Sequence, residues 1–331
     1  MQIGETGGAG VTDAVRGAAR HLLEYPFRVW GFGEGIGVRA LLETGDPRHE
    51  GFVLGLFASW IGKGPARSFE DHVAPGAELL TLYERTGQQS LLDAARKLAA
   101  LHSAFPRVVA GVRLHRPDQP GWKRQIWVDC MHVDGPFLAR FAGVSGQHEF
   151  FDEAAEQALA YARALQTPDG LFRHGWEAEC GPNGQLWARG NGWALTGMIE
   201  TLAALPAEHS GCSELRQRIA ALITALKLQQ RSDGLWHTVI DDPDTYAETT
   251  LAAMVAYSLI GRYAEHEAMR VAAEAAVLRH VSDKGELLLT SEATPVSEHK
   301  VYATRPFGVY PWGQGPLVMV LLGNQDEDRK G

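Results

Sequence analysis

Two stretches of this sequence bring chemistry-bearing side chains close together. The first is Gln125–Ile126–Trp127–Val128–Asp129–Cys130–Met131–His132–Val133–Asp134–Gly135–Pro136. A carboxylate set among Trp, Val, Cys and Met is stripped of water, which favours its protonated form and suits a general acid. Asp129 is that carboxylate. The same pattern fits an aspartate that merely caps a helix, as Asp134 would with Pro136 in the first turn. The second stretch is Trp187–Ala188–Arg189–Gly190–Asn191–Gly192–Trp193. In an extended approach Trp187, Arg189, Asn191 and Trp193 project to one side. Indole faces stack on pyranose rings, a guanidinium forks onto a carboxylate, and glycine lets backbone come close to a ligand. Together they make a sugar platform. The competing reading has Asn191 capping the next helix and the tryptophans in the core.

Other phrases are ambiguous taken singly. Asp233–Gly234–Leu235–Trp236–His237 reads as a turn into a short strand. The acidic loop Asp241–Asp242–Pro243–Asp244 leads to Glu248, a residue suited to a helix N-terminus. Pro311–Trp312–Gly313–Gln314–Gly315–Pro316 opens the last helix, with Trp312 and Gln314 either lining a cleft or packing a chain reversal. His174–Gly175–Trp176–Glu177 and Phe69–Glu70–Asp71–His72 complete the set. No nucleophile elbow or phosphate loop occurs. The alternating Gly31, Gly33, Gly35 and Gly37 lack the acidic partner of a dinucleotide fingerprint, because no Asp or Glu lies between Glu50 and Glu70. No cofactor is expected. His132 has no second histidine at helical spacing, so no metal is expected either.

The elements that must position these residues are helical nearly throughout. Ala77–Tyr83, Leu91–His102, Phe150–Leu165, Ala194–Leu205, Leu215–Gln229, Thr249–Tyr263 and Glu267–His280 carry apolar residues at three- and four-residue spacing. Only Leu171–His174 and Leu235–Val239 read as strands. A Gly-centred turn followed by a helix recurs at Gly45, Gly87 and Gly146, and Asp-Gly-Leu-aromatic recurs at Asp169 and Asp233. A helical hairpin with its loops needs about 45 to 65 residues. About six hairpins therefore fit, and six that close on themselves make an (α/α)6 barrel. No linker interrupts the series, so residues 1–331 are expected to form one all-α catalytic domain with frayed termini at about 1–12 and 324–331.

The chain has 331 residues, 45% of them hydrophobic, and a net charge of −9. This balance argues against nucleic acid, which wants a basic stripe. An acidic ligand would need a local cluster of cations. Three cysteines, Cys130, Cys180 and Cys212, form no disulfide framework. No signal peptide and no membrane span is read, so the expected location is the cytoplasm. The sequence leaves oligomeric state open.

Taken together, W-V-D at Trp127–Asp129, H-G-W at His174–Trp176, W-A-R-G-N-G-W at Trp187–Trp193, D-G-L-W-H at Asp233–His237, Y-x-E-T at Tyr246–Thr249 and W-G-Q-G-P at Trp312–Pro316 resemble glycoside hydrolase family 105. These are the unsaturated rhamnogalacturonyl hydrolases, related to the unsaturated glucuronyl hydrolases of family 88. The resemblance covers about residues 70 to 323 and implies the six-hairpin barrel. It implies Asp129 as catalytic aspartate and Asp71 as a second one. It implies substrate binding by Trp127, His174, Arg189 and Trp193, and His132, Asn191, Trp236 and Trp312 are added as lining candidates. His132 and Asp134 depart from the commonest members.

The implied substrate is an oligosaccharide ending in a 4,5-unsaturated uronic acid, most simply galacturonate from rhamnogalacturonan, a pectin. Its C4=C5 bond is conjugated with the ring oxygen. Protonation at C4 makes C5 electrophilic, water adds there, and the resulting hemiketal opens and releases the aglycone. One acid/base suffices, unlike the paired carboxylates of ordinary glycosidases. Three other readings stay in view. One is glucuronyl specificity. Another is a sugar 2-epimerase on the same barrel, which would use a histidine pair such as His174 and His237. The last is a sugar-binding barrel without turnover.

Overall fold

The computed structural model describes residues 12–28, 31–63, 73–114, 116 and 124–328. Among them, five helical hairpins follow in order: α1 (Asp13–Glu24) with α2 (Phe32–Glu43), α3 (Pro47–Gly62) with α4 (Gly76–Thr86), α5 (Gln89–Ala104) with α6 (Asp134–Ser145), α7 (Glu149–Leu165) with α8 (Ala188–Ala204), and α9 (Cys212–Gln229) with α10 (Thr250–Ser258). The sixth pairs α11 (Glu267–Arg279) with α13 (Pro311–Asp328), with the short α12 (His299–Ala303) between them. The second helix of each hairpin packs on the second helix of the next. The series α2, α4, α6, α8, α10, α13 then returns to α2. This is the (α/α)6 barrel.

Residue composition explains which helices lie inside. In α10, every residue from Thr250 to Ser258 except Tyr257 is buried, and α8 buries residues on all sides from Ala188 to Ile199. A helix apolar all round must be surrounded by protein. In contrast, α1 buries only Val15, Ala18, Ala19 and Leu22, the single stripe of an outer helix. Since each hairpin runs outer helix first, all six inner helices point the same way. Their N-termini and the loops feeding them collect at one end of the barrel.

The repeated phrases turn out to be the joints of this architecture. Gly45, Gly87 and Gly146 all have positive φ and lie at the turns from inner helices to the next outer ones. Gly170 and Gly234 turn the chain from outer helices toward inner ones, and Gly285 makes a third copy before α13. Each of the latter presses its Cα against an outer helix farther round: Gly170 against Ala221 of α9, Gly234 against Ala272 of α11, and Gly285 against Gly17 of α1. The last contact closes the outer ring. A Cβ at Gly234 would lie 2.2 Å from the Ala272 carbonyl oxygen, at a φ of 86°. Gly234→Ala should therefore lose at least about 2 kcal/mol of stability in denaturant unfolding, through left-handed strain and forced backbone separation.

The loops carry a three-stranded antiparallel sheet of β1 (Gln125–Trp127), β2 (Gly175–Glu177) and β3 (Gly181–Asn183). A small hairpin joins β4 (Trp236–His237) to β5 (Ala247–Glu248). Four sequence expectations shift. The Leu171–His174 strand is a lone bridge at Phe172, and pairing begins at Gly175. Helices α1 and α2 were not read from the sequence, and α3 only as the helix that follows the Gly45 turn. Helix α13 continues through Asp328 into the stretch expected to fray, because its backbone bonds carry on past Asn324. Asp134 does not cap α6: Val133 holds the cap position, and the Asp134 carboxylate turns inward beside Tyr161 and His102. No described helix is long and apolar enough to cross a membrane.

Candidate active site

Asp129 sits on a 3-10 turn, Val128–His132, between β1 and α6. Pairing of β1 with β2 fixes this turn against the chain around His174, whose carbonyl accepts the Val128 N–H at 2.8 Å. The Asp129 side chain is fully buried. It caps nothing; Oδ2 lies 3.1 Å from His174 Nε2. Oδ1 is buried and has no hydrogen-bond partner among the described residues. On its other side the His174 ring places Nδ1 2.6 Å from the Tyr302 hydroxyl. Trp187 lies under the imidazole, with ring centroids 4.4 Å apart, and Trp127 meets it edge-on at 5.5 Å. The arrangement is a carboxylate with one free oxygen, oriented by a histidine that is itself clamped between indoles.

The Trp187–Trp193 phrase is helical from Ala188 rather than extended. Helical geometry sets Arg189 and Trp193 on one face, four residues apart, and removes the expected alternation. Arg189 is buried and its two terminal nitrogens are fully engaged. They donate to Glu248, to the Ser291 carbonyl at 3.1 Å and hydroxyl at 3.0 Å, and to the Glu292 carbonyl at 2.9 Å. Burial pushes this guanidinium below its usual range, while Glu248 pulls it back up. Its face stacks 4.4 Å from Trp187. The structure thus gives Arg189 protein partners where the sequence suggested a substrate carboxylate.

Asn191 does not cap the helix as the competing reading had it: it lies inside α8, whose cap position is Trp187. Its amide accepts the Phe172 N–H at 2.7 Å and donates to the Phe172 and Trp187 carbonyls, locking the approach of β2 to α8. Trp236 is fully buried with Nε1 donating to Leu226 O, away from Asp129. Trp312 is half-buried, stacked at 4.7 Å on Tyr310, and donates to Ser291 O. It flanks the Arg189 guanidinium at 5.7 Å. Trp193 is buried against His132, 4.8 Å between centroids. Asp71 lies outside the described residues.

His132 faces a different space. A cavity of about 380 Å³ between inner helices is lined by His132, Arg39, Glu78, Arg140, Glu200 and Tyr257 among others. The Thr196 hydroxyl donates to Trp193 O, so it accepts from His132 Nδ1 at 3.0 Å. Burial drives His132 down to about 4 and Glu78 up to about 7. The two oppose each other in stability. A depressed His stabilises the fold above its unfolded value of 6.5 and loses this as pH falls toward 4. A raised Glu stabilises below 4.5 and loses this as pH rises through 7. The melting temperature of Glu78→Gln relative to the parent should therefore grow between pH 5 and pH 8, by an equivalent of up to roughly 3 kcal/mol. A constant difference across that range would count against a neutral buried Glu78.

Sequence reasoning missed three residues of the Asp129 surroundings. Tyr302 sits in Lys300–Val301–Tyr302–Ala303, which carries no motif. Glu248 stands in the Y-x-E-T phrase and suits a helix start, with nothing local to mark it as the partner of Arg189, and the use of Trp187 as a floor for His174 requires the folded hairpin.

The family model of Glycosyl Hydrolase Family 88 matches residues 19–324. The chain is 27% identical over 341 residues to the unsaturated rhamnogalacturonyl hydrolase YesR of Bacillus subtilis, covering 97% of this chain and 96% of that protein. Its fold matches the crystal structure of a possible member of the GH105 family from Salmonella enterica, with a TM-score of 0.86 at 24% identity over 95% of this chain and 93% of that one. It also matches the unsaturated glucuronyl hydrolase of Bacillus sp. GL1, with a TM-score of 0.74 at 16% identity over 94% of each chain. The resemblance read from the six phrases is borne out: the chain belongs to Glycosyl Hydrolase Family 88 and is a glycosidase.

Proposed function

We propose that this chain releases a terminal 4,5-unsaturated uronic acid from an oligosaccharide by hydrating its C4=C5 bond, with Asp129 as the proton donor. The carrying observation is the Asp129 carboxylate itself, buried, held at Oδ2 by His174, with Oδ1 unengaged among the described residues. Hydration of a vinyl ether needs one positioned acid that then serves as base toward water. In this reading Oδ1 delivers a proton to C4, water adds at C5, and the hemiketal opens to expel the aglycone. Trp127 and Trp312 border the sugar, and Asp71 assists the water. Arg189, saturated by protein acceptors, acts by holding Trp187 and the loop of Ser291 in place.

The proposed substrate is unsaturated galacturonate linked to rhamnose, a product of pectin cleavage. Support comes from the full-length likeness to a rhamnogalacturonyl hydrolase. An exposed free thiol at Cys180 supports a reducing, cytoplasmic setting. The test is to follow the ultraviolet absorbance of the conjugated bond in unsaturated disaccharides made by pectin and glycosaminoglycan lyases. Loss on the rhamnose-linked substrate alone is expected. Loss on a glucuronyl substrate alone would move the specificity, and loss on neither would reject the reading.

A further inference from the structure

We propose that Tyr302 is a positioning residue for Asp129, acting through His174 by fixing which ring nitrogen carries the proton. The proposal rests on the reading of Asp129 as acid and base. Tyr302 comes from the short helix α12, which belongs to the segment between α11 and α13 and not to the chain beside β1 and β2 that carries Asp129 and His174. Its side chain is fully buried. Its hydroxyl lies 2.6 Å from His174 Nδ1, and the Ser297 N–H donates to the same oxygen at 3.3 Å.

The proposal assigns a direction to each bond. A hydroxyl has a single proton to give. The Tyr302 oxygen accepts from Ser297, and in the proposed arrangement its own proton goes to His174 Nδ1, 2.6 Å away. Neutral imidazole has one N–H, so a bare Nδ1 puts that N–H on Nε2. Nε2 is the nitrogen that meets Asp129 Oδ2 at 3.1 Å. An ionised carboxylate only accepts, and this tautomer supplies the donor it needs. When Asp129 takes up a proton, Oδ2 is already occupied as an acceptor. The proton therefore goes to Oδ1, the oxygen with no described protein partner. Tyr302 thus decides which face of the carboxylate is armed. Burial pushes the Tyr302 phenol well above its ordinary value, so it keeps the proton it donates.

The contact is built in, because the chain leaves room for it. Gly184 follows β3, and a Cβ there would stand 2.8 Å from the Tyr302 hydroxyl and 2.9 Å from His174 Cβ. Any larger residue would drive the two rings apart.

The experiment uses the full chain in two arms. Nitrogen-15 NMR of histidine-labelled protein reads the His174 tautomer directly, the signal being assigned by its loss in His174→Gln. The Nε2–H form is expected at neutral pH; an Nδ1–H or doubly protonated ring would overturn the proposal. Tyr302→Phe keeps the ring packing and deletes the proton. It should lower kcat about 10- to 100-fold on the unsaturated substrate with KM little changed, as misorientation of a reacting group does, and should mix the His174 tautomers. Unchanged kcat, or an unchanged tautomer, would overturn the proposal. Should Tyr302→Phe fail to fold, the wild-type tautomer decides alone. A wild-type protein that turns over no unsaturated substrate defeats the functional reading, while the tautomer spectrum still stands or falls separately.

Discussion

Asp129→Asn should lower kcat on the unsaturated disaccharide by about 100- to 10,000-fold, the range over which a positioned acid/base contributes. KM should change little, because the amide fills the same volume beside His174. The fold should also survive. The replaced group is fully buried, yet an amide oxygen can still accept from His174 Nε2, 3.1 Å away in the parent. Thermal melts of the two proteins are expected to lie close together. Steady-state kinetics on purified, folded protein checks both halves. A large loss of kcat with an intact melt is the signature of chemistry. A matching loss of stability would make Asp129 a structural residue.

The second large effect concerns stability. Arg189→Met leaves Glu248 buried without its cation, at a point where Thr250 and Ser291 hydroxyls also converge on the carboxylate at 2.7 Å and 2.9 Å. Breaking one partner of a buried pair costs about 3–5 kcal/mol, because the remaining charge has lost its compensation. A drop of that size is expected in the urea midpoint at unchanged slope. Glu248→Gln should fall less, since an amide still accepts from Arg189 and from both hydroxyls. The double variant Arg189→Met with Glu248→Leu should recover part of the loss, because no buried charge remains. If Arg189→Met unfolded with the parent while binding substrate poorly, Arg189 would be a substrate ligand and not a pillar of the site.

Periodicity made most of the barrel readable. The apolar repeats of α4, α5 and α7 to α11 were visible, α6 was marked only by its start at Asp134–Pro136, and the recurring Gly turns marked the joints between hairpins. Helix α2 escaped because it is Gly-rich and buried on nearly all sides, which erases the polar face that periodicity relies on. Asp129 was legible from its apolar neighbours. Whether it capped a helix or did chemistry was not, because that turns on His174, 45 residues away. Arg189 and Asn191 were legible as important but not as to purpose. Their partners, Ser291 and Phe172, belong to other loops, and an extended reading of Trp187–Trp193 pointed them at a ligand. Tyr302 was invisible, since a lone tyrosine 128 residues from its histidine leaves no local pattern. Local sequence thus carries elements and turns, whereas the pairing of polar groups across the barrel end is a property of closure.

The most direct test of C4 protonation is to run the reaction in deuterium oxide and examine the released sugar by NMR at low conversion. The account predicts one deuterium at C4, with a single stereochemistry, entering in step with aglycone release and loss of absorbance. Aglycone release that leaves the C4=C5 bond intact and C4 free of deuterium would mean attack at the anomeric carbon, and would contradict the role given to Asp129.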